Sequence, residues 1–242
     1  SFNDRSGSSP ERSSTLELTR DWLRFHLGGG IAQRLGVIPD PANAASYISC
    51  YCNEDGSGNP AFFSGILQLE AYPLALAGVE GSARGVGIHV DIIMGEVTTL
   101  IGTSELQSTV VSGIGGLNLR WLFGDTESDG DLQFKGGYGM FRFPLSAGPF
   151  PGTIYSGPYV GLALNIPFVD PVMLNLGGYF SAPLSVSGGT KRIGQSFDSG
   201  LGYRVEGGFR IELLEISGGT LEFGALGRYE RFETTYNGKS NL

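Results

Sequence analysis

SFDSGLGYRVEGGFRIELL, residues 196–214, sorts its side chains by parity. Phe197, Ser199, Leu201, Tyr203, Val205, Gly207, Phe209, Ile211 and Leu213 fall on the odd positions. The even positions carry Asp198, Arg204, Glu206, Arg210 and Glu212, with Gly200, Gly202 and Gly208 among them. Successive side chains of a strand point to opposite faces. The stretch is therefore one long strand with an apolar face and a charged, glycine-rich face.

The same alternation recurs in both directions along the chain and yields nine strands. The first covers about 16–35, with Leu23, Phe25, Leu27 and Ile31 opposite Arg24, His26, Gly28 and Gly30. The next cover about 61–76 (Leu67, Leu69 against Gln68, Glu70), 82–95 (Val86, Ile88, Val90, Ile92 against Gly87, His89, Asp91) and 106–124 (Leu117, Leu119, Trp121 against Asn118, Arg120). Three more follow at about 131–143 (Phe134, Tyr138 against Gln133, Lys135), 153–167 (Val160, Leu162 against Tyr159, Asn165) and 171–183 (Leu174, Leu176, Phe180 against Asn175, Tyr179). After 196–214 the ninth covers about 219–234, with Leu221, Phe223 and Tyr229 against Glu222, Arg228 and Glu230.

The connections alternate between long or medium ones (36–60, 96–105, 144–152, 184–195) and tight ones (77–81, 125–130, 167–171, 215–218). Long loops at one end and tight turns at the other are how outer-membrane barrels are built. Single-chain bacterial barrels have an even strand count, so nine visible strands predict about ten when complete, with one beyond Leu242 or one merged. Residues 1–15 are Ser-rich, charged and without period. They read as a flexible leader before a barrel spanning 16–242. The start at Ser1, with no Met and no apolar signal segment, fits a processed terminus.

The totals limit the alternatives. Forty glycines without a G-X-Y period exclude collagen, and 40% hydrophobic residues exclude a disordered chain. No apolar run reaches the ~18 residues of a transmembrane helix. A net charge of −8 without any basic block disfavours nucleic acid as a partner.

A soluble barrel shows the same period, and three features favour lipid over water outside the wall. The polar face is rich in glycine, which weakens a water-facing strand but makes room inside a narrow barrel. Charges avoid the apolar face over about nine to eleven residues, the length of a tilted membrane strand. Arg231 and Glu233 break parity only past Tyr229. Aromatics (Trp121, Phe123, Tyr155, Phe180, Phe197, Tyr229) stand near the ends of the apolar faces. Val86, Ile88, Val90, Ile92, Leu117, Leu119, Leu174, Leu176, Leu201, Val205, Phe209 and Phe223 are then lipid-facing. The expected polar network of the lumen is Arg24, His26, His89, Asp91, Arg120, Lys135, Arg204, Glu206, Arg210, Glu212, Glu222, Arg228 and Glu230.

In this pattern the chain resembles small bacterial outer-membrane β-barrel proteins of eight to twelve strands, over about 16–234. The resemblance implies an all-β, antiparallel, up-and-down transmembrane barrel in the outer membrane of a Gram-negative bacterium, with the bilayer and other envelope proteins as partners.

Motifs for chemistry are weak. His89 and Asp91 share a face without a third partner, and His26 is the only other histidine. Asp125-x-Glu127-x-Asp129-Gly130 opens like a calcium loop, but Gly136 stands where the twelfth-position acid belongs. Cys50 and Cys52, one residue apart, lack metal-ligand spacing and read as an exposed loop pair, with a tight disulfide or a redox role as the alternatives. The expectation is a protein that is not an enzyme, without cofactor or metal, acting as a structural anchor or a component of an envelope complex. The alternatives are a narrow, porin-like channel for ions or small solutes and a soluble barrel holding a small apolar ligand.

Overall fold

The structure, a computed structural model, describes residues 22–39, 46–50, 61–101, 104–124, 129–143, 153–188, 196–216 and 219–237. Eleven strands follow one another: β1 (Leu23–Pro39), β2 (Ser46–Cys50), β3 (Ala61–Ala71), β4 (Val86–Ile101), β5 (Ser104–Leu122), β6 (Asp131–Phe143), β7 (Thr153–Val169), β8 (Val172–Ser181), β9 (Ser185–Gly188), β10 (Ser196–Ile216) and β11 (Gly219–Asn237). Nine of them (β1, β3 to β8, β10 and β11) form a ring in which each pairs antiparallel with the next.

The ring closes between β11 and β1, from Arg24↔Thr220 to Val37↔Glu233, and this one pair is parallel. Its direction is forced. Nine strands that reverse at every turn leave the first and the last running the same way. A tenth strand is not needed for closure, and the even count expected of bacterial barrels does not hold for this ring.

The two remaining strands extend the wall. β2 folds back on the end of β1, from Leu35↔Cys50 to Pro39↔Ser46. β9 lies along β7, from Thr153↔Gly188 to Ser156↔Ser185. At the same end β4 and β5 run on as a two-stranded ribbon, Glu96↔Thr109 to Ile101↔Ser104. The β8–β10 ladder stops at Ser181↔Gly202, and above it β10 continues with β11 alone among the described residues.

Pro73 ends β3 earlier than the alternation predicts. It lacks the N–H a ladder needs and opens the short helix α1 (Pro73–Leu76) instead. A 3-10 turn, Gly81–Gly85, then leads into β4. Gly78 and Gly81 take φ of 74° and 73° in this connection, the left-handed region that glycine enters without cost. The leader 1–15, Cys52 and most of the acidic turn (125–128) lie outside the described residues, as does the side chain of Cys50.

Polar and apolar surfaces are inverted relative to a water-soluble domain. Arg24, His26, His89, Asp91, Arg120, Arg204, Glu206, Arg210, Glu222, Arg228 and Glu230 are buried inside the ring, and Lys135 nearly so. Val86, Ile88, Val90, Leu117, Leu119, Leu176, Leu201, Val205, Phe209 and Phe223 are exposed on the outer face; Ile92 and Leu174 are half-buried there.

Candidate functional site

The lumen is the only region where chemistry-bearing side chains converge among the described residues, and strand parity puts them there. It is built in three levels, counted from the end with the tight turns.

The lowest level is a hydrogen-bonded web. Arg24 donates Nη1 to Asp131 Oδ2 at 2.8 Å, and Asn165 Nδ2 reaches Asp131 Oδ1 at 2.6 Å. Asn165 Oδ1 in turn accepts from Asn175 Nδ2 (2.7 Å) and from Arg210, whose Nη1 is bound to Glu222 Oε2 at 2.8 Å. On the other side Glu70 accepts from Lys135 Nζ (2.7 Å), Tyr72 Oη (2.8 Å) and Gln133 Nε2 (3.2 Å), while Asn118 Nδ2 donates to Tyr72 Oη (2.8 Å). The Arg120 guanidinium lies over the Tyr72 ring, 3.7 Å from its centroid.

The middle level centres on Arg228. Its Nε donates to Glu206 Oε2 and its Nη2 to Asp91 Oδ2, both at 2.9 Å. Tyr179 Oη donates to Glu206 Oε1 at 3.1 Å, and Gln68 Nε2 to Asp91 Oδ2 at 3.3 Å. Arg204 sits among Glu230 (3.6 Å), Asp91 (3.7 Å) and Glu206 (4.0 Å), beyond hydrogen-bond distance of each, with its guanidinium 4.3 Å from the Tyr179 ring centroid. Such distances leave it held by charge rather than by aligned donors.

The uppermost level is apolar. Ile114, Phe141, Tyr155, Tyr159, Tyr179 and Phe232 pack together, with Tyr155 stacked on Phe232 at 5.3 Å and Phe141 tilted against it at 4.8 Å. Ala32, Phe62 and Val110 form a second apolar group at this level. Glycines on the inner face accommodate these side chains: a Cβ on Gly161 would run into Tyr179, and one on Gly177 into Glu206.

The enclosed acids of the described residues are Glu70, Asp91, Asp131, Glu206, Glu222 and Glu230. The enclosed bases are Arg24, Arg120, Lys135, Arg204, Arg210 and Arg228. Their formal charges cancel, as buried charges must if they are not to cost several kcal/mol each.

Glu212, expected in this network, is exposed. It pairs in register with Glu222 and keeps its inward parity, but it stands at the rim, where it borders an open bowl of about 310 Å3 with Arg24, Arg210 and Glu222. Glu70 and Asp131 belong to the network and were not expected there, although parity with Gln68 and Gln133 already put both on the inner face.

The arrangement offers little for catalysis. His89 faces Tyr159 Oη rather than Asp91, whose carboxylate is held by Arg228 and Gln68. No group of His, Cys, Asp and Glu with metal-ligand geometry occurs among the described residues. What the lumen does is tie strands together: β11, β10 and β4 through Arg228, and β1, β6, β7, β8, β10 and β11 through the chain of bonds around Asn165.

No protein-family model, no curated protein and no solved structure matches this chain.

Proposed function

We propose that the chain is a bacterial outer-membrane β-barrel, without enzymatic activity, that serves as a structural anchor or a component of an envelope assembly. The observation that supports this reading best is the inversion of the wall. Thirty-one large apolar side chains of the described residues are exposed, most of them on the outer face of the strands, while the six acids and six bases named above are enclosed in the lumen. Covering one such side chain is worth about 1.5–3 kcal/mol when complete, so leaving this belt in water forfeits tens of kcal/mol. A soluble barrel holding an apolar ligand would point those side chains inward.

The filled lumen supports an anchor over a channel. Its charged levels are cross-linked from wall to wall, and its upper level is closed by stacked rings. The extensions beyond the ring (the β4–β5 ribbon, and β2 on β1) offer backbone edges at the loop end for contact with other envelope proteins.

Two measurements test the reading. The protein is expected to partition into detergent and to float with phospholipid vesicles; a monodisperse sample in plain buffer would refute membrane residence. In planar bilayers it is expected to be electrically silent. Steady unitary currents would transfer the role to the narrow channel.

A further inference from the structure

Among the described residues the wall is interrupted between β8 and β10, and the sequence explains why. Past β8, Ala182 N donates to Pro158 O (3.0 Å) and Leu184 N to Ser156 O (2.9 Å), both toward β7. Donors alternate between the two sides of a strand, so the residue between them should donate toward β10. That residue is Pro183, which has no N–H. Continued from Ser181↔Gly202, the register would set Pro183 opposite Gly200, and the ladder stops short of this pair.

Where this ladder ends and the slot beyond it begins, at Ser181, lies a cavity of about 10 Å3 lined by Ser181 and Arg204, by the outward-facing Phe180 and Tyr203, and otherwise by the apolar side chains of the uppermost level. This is room for a single water-sized group. Arg204 is 94% buried, the complement of its 6% exposure, and its Nη2 has no hydrogen-bond partner. A buried donor left unmade is costly, so the cavity favours an acceptor. Asp91, Glu206 and Glu230 already surround Arg204 within 4.0 Å. With Arg228 as the only other base in this level among the described residues, the neighbourhood is net negative and opposes a further anion.

We propose that this slot binds an acyl-chain amphiphile from the surrounding bilayer through a neutral acceptor. The oxygen of an ester, amide or hydroxyl group occupies the cavity and accepts from Arg204, while the tail stays outside between Phe180 and Tyr203. The proposal rests on the membrane reading above.

The test uses the full chain in phosphatidylcholine vesicles carrying a diazirine-tagged monopalmitoylglycerol, with the tagged fatty acid of equal length in parallel. The label of the neutral probe is expected to concentrate on residues 172–188 and 196–210, and the acid to label them less. Pro183→Val restores the missing donor and closes the slot, and Arg204→Met removes the site's donor. Each is expected to lower labelling there about tenfold, the weight of one hydrogen bond to a charged donor. Arg204→Met also disturbs the ion cluster, so Pro183→Val, which leaves that cluster intact, decides the matter. Flotation with label spread evenly around the wall, or unchanged labelling in Pro183→Val, would overturn the slot alone. Failure to float would overturn the membrane reading and the slot with it.

Discussion

Arg228 joins three strands through two carboxylates, Glu206 at 2.9 Å and Asp91 at 2.9 Å, with both of its partners buried. Removing one partner of a buried pair strands the other, at about 3–5 kcal/mol. Arg228→Met is therefore expected to lower the unfolding free energy in detergent by about that amount. Arg204→Met, whose ion contacts are all 3.6 Å or longer, is expected to cost less. Chemical denaturation of the two variants checks the order, and equal losses would contradict it. Strand parity alone marks Arg204, Glu206, Arg228 and Glu230 as inward. It does not mark who meets whom, because a period of two fixes the face of a side chain but not its height in the lumen. Arg24 and Asp131 are 107 residues apart and hydrogen-bonded, a relation no local pattern encodes. Glu212 shows the same limit from the other side: its parity is inward, but the nearness of the rim leaves it wetted.

At the scale of the strands, β6 runs from Asp131 to Phe143, as the alternation predicts, and β10 and β11 exceed their predicted ends by a few residues. The misses are one connection and the short elements: 96–105, expected as a loop, is strand up to Ile101 and again from Ser104, because β4 and β5 pair on beyond the ring. β2 and β9 have five and four residues, too few for a period to register, and β9 rests on its bonds to β7. Helix α1 replaces the end of a predicted strand at a proline that the apolar pattern reads through. Glycine on the inner face was legible as a space-maker, but its exact burden depends on the neighbouring strand. Gly116 and Gly137 are paired, and a Cβ on Gly137 would enter the backbone of Gly115 and Gly116. A Cβ on Gly29 meets nothing closer than 3.8 Å. Gly137→Ala is expected to destabilise the barrel by about 1–3 kcal/mol, the usual cost of overpacking, whereas Gly29→Ala is expected to be near neutral. Comparing the two by thermal melting in detergent separates close backbone approach from a general need for flexible strands.

For the molecule as a whole, the balance of charge inside the ring leaves the net −8 of the chain to be carried elsewhere. The outer belt then sets how a charge on it is tolerated. Leu117 and Leu162 stand mid-way along their strands, exposed and apolar. Arginine at either is expected to cost about 2–4 kcal/mol in a bilayer. Leu201 pairs with Glu233, beyond the Tyr203–Tyr229 rings that mark the upper edge of the belt, so arginine there is expected to cost about 0–1 kcal/mol. Folding yields into vesicles of the three variants check this gradient; a flat response would argue against a hydrocarbon slab around the wall. The parallel seam has a further consequence. An even ring returns its polypeptide to the side from which it came, whereas an odd one threads it through. Trp22, the first described residue, therefore lies at one mouth and Asn237, the last, at the other. Set in a bilayer, such a ring is a rivet whose first and last strands end in opposite compartments.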